Sequence, residues 1–147
     1  MGKTPGQPKK GQLADMTIHP PPDPVYLLPD PNECVDETWP EGLDPYNELR
    51  ARYVLWESRL IVDFAITQVT LADDGWRKVA RIDCAHGVIH RHQFKAGSDV
   101  TVARIEYAPI PTDEAGWVFV NDWYDQALKL MLDEWQESLR RWNGDIR

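Results

Sequence analysis

The sequence predicts an α+β domain: a four-stranded antiparallel meander packed by an N-terminal and a C-terminal helix, with a disordered proline-rich arm in front. Three observations carry this. Ten of the 12 prolines fall within residues 1–45, where their missing amide donors and fixed φ disfavour both helix and central strand. Residues 60–108 break into short β-branched runs separated by Asp73-Asp74-Gly75, His86-Gly87 and Ala96-Gly97-Ser98, the pattern of hairpin-linked strands. Residues 123–142 instead repeat apolar side chains at helical spacing.

In chain order, residues 1–44 are the arm. Pro20-Pro21-Pro22 is polyproline-like. Val25-Tyr26-Leu27-Leu28 and Trp39 are apolar islands within it, fit either to dock on the domain or to bind a partner. The domain spans 45–147. Asp44 as N-cap and Pro45 at the first helical position open a helix to Ser58, with Leu49, Tyr53 and Trp56 at helical spacing. Leu60 to Leu71 alternates as a strand. It carries Leu60, Val62, Phe64 and Ile66 on one face, and Ile61, Asp63 and Ala65 on the other. Trp76–Ala85, Val88–Lys95 and Val100–Ala108 complete the meander. Pro109 and Pro111 end the sheet, and residues 112–116 form a polar loop. Trp117 to Val120 is a short strand or packed lead-in. Asn121 or Asp122 caps the last helix, which shows Leu128, Met131, Leu132, Trp135, Leu139 and Trp142 on one face. Asn143-Gly144 stops it.

No run of about 18 apolar residues exists, so no transmembrane helix is expected. No apolar stretch follows the N-terminal lysines, so no secretory signal is expected either. Two cysteines without CxxC spacing fit a reduced, cytoplasmic protein. A net charge of −8 argues against wholesale coating of nucleic acid. The charge is uneven, however: residues 76–104 hold six basic and two acidic side chains. That basic segment suits an anionic small substrate or a short stretch of RNA. A solvated sheet face explains it equally well.

The same segment holds three of the four histidines. If His86-Gly87 is a two-residue turn, Asp83 faces His90, Ile82 faces Arg91, and Arg81 faces His92. Alternation then places Arg81, Asp83, His90 and His92 on one face. Histidine carries protons near neutral pH. His90 and His92 are the candidate acid–base pair for a phosphodiester, with Asp83 orienting His90. Arg81 and Arg91 are the candidate phosphate contacts, and His86 a further substrate contact. His90 and His92, with Asp83 or His86 as a third ligand, also suit zinc or iron. With no fourth ligand in view, neither metal nor cofactor is expected. The plain structural alternative is a turn histidine and two strand histidines bonded to Asp83 and water.

Asp74-Gly75, Arg81-Ile82-Asp83, His86-Gly87, His90, His92 and Phe94 resemble the TumE-like toxins of bacterial and phage toxin–antitoxin modules, and related small proteins of actinobacteria and their phages. The resemblance covers about twenty residues. It implies a small α+β protein that inhibits growth, with RNA as target and a cognate antitoxin as partner. The reading is thus a toxin-like, metal-independent ribonuclease. The alternative is a non-catalytic phage or mobile-element accessory protein that binds a partner protein through its arm.

Overall fold

The computed structural model describes residues 25–144. They form an α+β fold with six antiparallel strands followed by one helix. The strands are β1 (Cys34–Asp44), β2 (Asn47–Trp56), β3 (Leu60–Ala72), β4 (Gly75–Asp83), β5 (Val88–Gln93) and β6 (Ala103–Pro109). They pair in chain order, β1-β2-β3-β4-β5-β6. The helix α1 spans Ala115–Trp142. Among the described residues, no helix is long and apolar enough to cross a membrane.

Two strands replace what the sequence suggested at the front. Cys34–Asp44 is an edge strand, not arm. Pro40 is tolerated because an edge strand needs hydrogen bonds on one side only. The polyproline run at 20–22 lies outside the described residues. The helix expected over 45–58 is β2. Leu49, Ala51 and Tyr53 turn toward α1, while Arg50 and Arg52 turn away. The spacing of Leu49, Tyr53 and Trp56 imitates a helix, but period two also runs through it. Asp44 does cap a turn: its Oδ1 accepts from the Tyr46 amide at 2.7 Å and from Asn47 Nδ2 at 2.9 Å. That turn feeds a hairpin instead of a helix.

The four later strands stand as expected, with small changes of boundary. α1 begins two residues before Trp117, so the supposed lead-in is its first turn. Asn121 is not a cap. Its Oδ1 accepts from the Ile61 amide at 2.8 Å, next to a bulge in β3. The buried stripe of the helix is Gly116, Val120, Tyr124, Ala127, Met131 and Ser138, and Leu132 is exposed.

α1 covers one face of the sheet, lying chiefly on β3. Leu49, Phe64, Ile66, Ile82 and Ile89 pack there against Val120, Tyr124 and Met131. Each large side chain removed from water contributes about 1.5–3 kcal/mol. Polar groups close the seam: Gln68 Nε2 donates to Trp135 O at 2.9 Å, Gln93 Nε2 to Ser138 O at 3.1 Å, and Trp39 Nε1 to Tyr124 Oη at 3.1 Å. The opposite face of the sheet carries no helix among the described residues.

Candidate functional site

The β4–β5 turn sets the site. His86 (φ 60°, ψ 27°) and Gly87 (φ 75°) both adopt the left-handed conformation, which twists a two-residue connection to match its strands. The resulting register pairs Asp83 with His90, Ile82 with Arg91, and Arg81 with His92. Two rows of partners therefore cross the helix-free face. One runs Thr38–Arg52–Ala65–Asp83–His90–Glu106, the other Pro40–Arg50–Thr67–Arg81–His92–Arg104.

Asp83 is the hub where the rows meet. Its Oδ1 lies 2.8 Å from His90 Nε2 and accepts from the Ala85 amide at 3.2 Å. Its Oδ2 accepts from Arg81 Nε at 2.7 Å and lies 3.7 Å from His92 Nε2. The other nitrogen of each histidine is engaged from outside. His90 Nδ1 donates to Val88 O at 2.9 Å, since a carbonyl can only accept. His92 Nδ1 meets Thr101 Oγ1 at 3.1 Å, on the loop between β5 and β6. Both Nε2 atoms thus turn inward toward one carboxylate.

The two imidazoles sit edge to face, with centroids 4.6 Å apart. His90 is 2% exposed and the His92 side chain 15%, so His92 and Arg81 are the centre's contact with solvent. Burial pulls the His92 pKa below its ordinary value, and the nearby charges of His90, Arg81 and Arg104 act in the same direction. Asp83 opposes them. Among the described residues, Asp83, His90 and His92 also form a potential metal-holding set, with ligand atoms within 4.8 Å of one another.

Beside the centre lies a cavity of about 780 Å³ that touches Asp83 and Arg81 and extends past Thr67 and Lys78 to Arg50 and Arg52. Arg50 pairs with Glu48 at 2.8 Å and Arg52 with Asp63 at 3.4 Å, both exposed enough to exchange partners at little cost. Lys78 lies over the Phe94 ring, 4.9 Å from its centroid. Arg50 and Arg52 fall in the segment where the sequence suggested a helix. Their i, i+2 spacing on a strand was the available signal. Lys78 and Thr101 gave none.

Two expected contacts lie elsewhere. Arg91 is on the helix side, because it is paired with Ile82 and odd with respect to His90 and His92. It is buried there, bonded to Ser138 Oγ at 2.7 Å and paired with Glu134. It is a sheet-to-helix tie and does not face the groove. His86 is exposed in the turn and borders a separate hollow of about 410 Å³ with Tyr26, Asp63 and Cys84. There the Cys84 thiol donates to Asp63 Oδ1 at 2.9 Å. Burial first, then the Asp63 charge, pushes the Cys84 pKa strongly up.

Fold and site together define a small α+β sheet protein with a shielded His–Asp centre on its helix-free face. By sequence, the chain belongs to the family described as a domain of unknown function, DUF7718, matched over residues 35–143. No curated protein and no solved structure matches it.

Proposed function

We propose that the helix-free face binds a short stretch of RNA and cleaves its phosphodiester backbone at the Asp83–His90–His92 centre. The observation that carries this reading is the convergence of two histidines and a carboxylate beside a groove bordered by Arg81, Lys78, Arg50 and Arg52. In such a cleavage the 2′-hydroxyl oxygen attacks phosphorus and the bond to the 5′ oxygen breaks. One proton leaves the nucleophile and one reaches the leaving oxygen. The cations lower the cost of charge developing on the phosphoryl oxygens. Arg81 is the contact closest to the centre, and it also holds Asp83 in place.

The TumE-like resemblance adds growth inhibition and a neutralising protein partner to this proposal. The accessory-protein alternative draws less support. Tyr26 donates to Val62 O at 2.5 Å, Trp117 Nε1 donates to Leu27 O at 2.9 Å, and Trp39 bonds Tyr124. Tyr26 and Trp39 are thus engaged within the domain itself, while Val25, Leu27 and Leu28 keep exposed side chains.

The test is cleavage of a labelled single-stranded RNA by purified protein. His92→Ala is expected to slow it by about 100-fold or more, with unchanged far-UV circular dichroism. Lys78→Ala is expected to weaken RNA binding and flatten its salt dependence. Equal cleavage by His92→Ala and wild type would remove the proposal, as would a wild type that leaves RNA intact.

A further inference from the structure

The spacing of the centre poses a problem for a purely organic acid–base pair. Two imidazoles that serve opposite oxygens of one phosphate must leave room for that group between them. Here the ligand atoms of Asp83, His90 and His92 all fall within 4.8 Å of one another. At that spacing all three atoms can reach one small cation.

The hydrogen bonds agree. His90 Nδ1 must donate to Val88 O, which leaves Nε2 with its lone pair aimed at Asp83 Oδ1 from 2.8 Å. A lone pair and a carboxylate at that distance need a positive species between them, either a proton or a metal ion. His92 repeats the arrangement, with Nδ1 held by Thr101 Oγ1 and Nε2 turned to Asp83. A metal-ligating histidine characteristically has one nitrogen bonded outward, which fixes tautomer and ring orientation. Arg81 holds the second oxygen of Asp83 in the same supporting way.

We propose that Asp83, His90 and His92 are the protein ligands of a divalent transition-metal ion, with Zn²⁺ as the probe. A four-coordinate site with bonds of about 2.0–2.2 Å needs ligand atoms roughly 3.3–3.5 Å apart. His90 Nε2 lies closer than this to Asp83 Oδ1, at 2.8 Å, and His92 Nε2 lies 3.7 Å from the other oxygen, Oδ2. With all three ligand atoms already within 4.8 Å of one another, a shift of about 1 Å by the partly exposed His92 completes the set. Three protein ligands leave one position open for water, the pattern of reactive rather than structural sites. The ion would sit between Asp83 Oδ1 and His90 Nε2, and would supply Lewis acidity to a water at the open position. The inference stands on the geometry of the three residues and does not require RNA as substrate.

Calorimetry of the full chain with Zn²⁺ at pH 7 tests it. One ion per chain is expected, with a heat that changes with the ionisation enthalpy of the buffer, because binding expels a proton. His92→Ala is expected to lose about 100-fold or more in affinity, Thr101→Val about 10-fold, and the exposed His86→Ala nothing. Thr101→Val keeps the test informative if His92→Ala is poorly folded. Absence of Zn²⁺ binding up to millimolar concentration would overturn the site, as would His92→Ala and Thr101→Val both binding like wild type. Zn²⁺ bound without RNA cleavage would remove the phosphodiester reading and leave the metal site. Cleavage by a protein that binds no metal would do the reverse.

Discussion

Replacing Arg91 with methionine separates a structural arginine from a substrate-binding one. The Arg91 guanidinium sits on the helix side of β5, 8% exposed, and bonds Ser138 Oγ at 2.7 Å. A hydrogen bond to a charged group contributes about 1.5–3 kcal/mol. The Glu134 pair adds little, at most about 1 kcal/mol, because Glu134 is 47% exposed and screened by water. Methionine keeps the apolar stem, so the expected loss is about 1.5–4 kcal/mol. At roughly 3–5 °C per kcal/mol for a domain of this size, the melting temperature falls by about 5–20 °C. Thermal unfolding by circular dichroism reads it. The coupling is checked with Ser138→Ala: the double variant should be scarcely less stable than Arg91→Met alone, because the two share one bond. RNA affinity, measured well below the transition, should not change. A melting temperature within about 2 °C of wild type, together with lost RNA binding, would show that Arg91 serves the groove and that the helix-side tie is unimportant.

Two further outcomes follow from the packing. Gly116→Ala should destabilise by about 1–3 kcal/mol despite the roughly 1 kcal/mol helix preference for alanine. Its new methyl group meets Pro111 O and lies 2.8–2.9 Å from the Tyr26 ring. A raised melting temperature would refute this, and Gly42→Ala, with open space around it, is the control. Stability should also fall in alkali. Burial raises the pKa of both Cys84 and Tyr26. The folded chain therefore keeps protons that the unfolded chain releases near pH 8.5 and pH 10. Stability is thus full below about pH 8 and declines above it. The urea midpoint at pH 7, 9 and 10.5 measures this, and Cys84→Ala should flatten the first part of the decline. A midpoint constant over that range would contradict it.

The hairpin was legible because one glycine after a polar residue, between two alternating runs, fixes both turn and register. From that register the company of Asp83, His90, His92 and Arg81 followed by parity alone. Parity also spoke against Arg91 as a groove contact, and its basic charge was the misleading cue. The first two strands were hidden for different reasons. In β1 Pro40 and the acids Asp36, Glu37 and Glu41 suit an edge, where one side meets water and pairing with strangers must be discouraged. Such a strand has the composition of a loop. In β2 the segment after Asp44-Pro45 satisfies helical and strand periods together, and only the neighbouring β3 decides between them. Thr101 and Lys78 reach the site through a loop and a bulged strand, which no local pattern encodes. The bulge lies beside Lys78, between its pairing with Val69 and that of Ala80 with Gln68.

Each strand pairs with its neighbour in sequence, and α1 comes after all six. During synthesis the hairpins can therefore form one at a time as they emerge, each closing only a short loop. Their oily side has no cover until the segment from Val120 to Met131 has also left the ribosome. A nascent chain paused before residue 115 would have its backbone hydrogen bonds but half a core. In that interval it is a natural client for chaperones and prone to self-association. Translation speed through the helix thus bears on yield in the cell, independently of how stable the finished domain is.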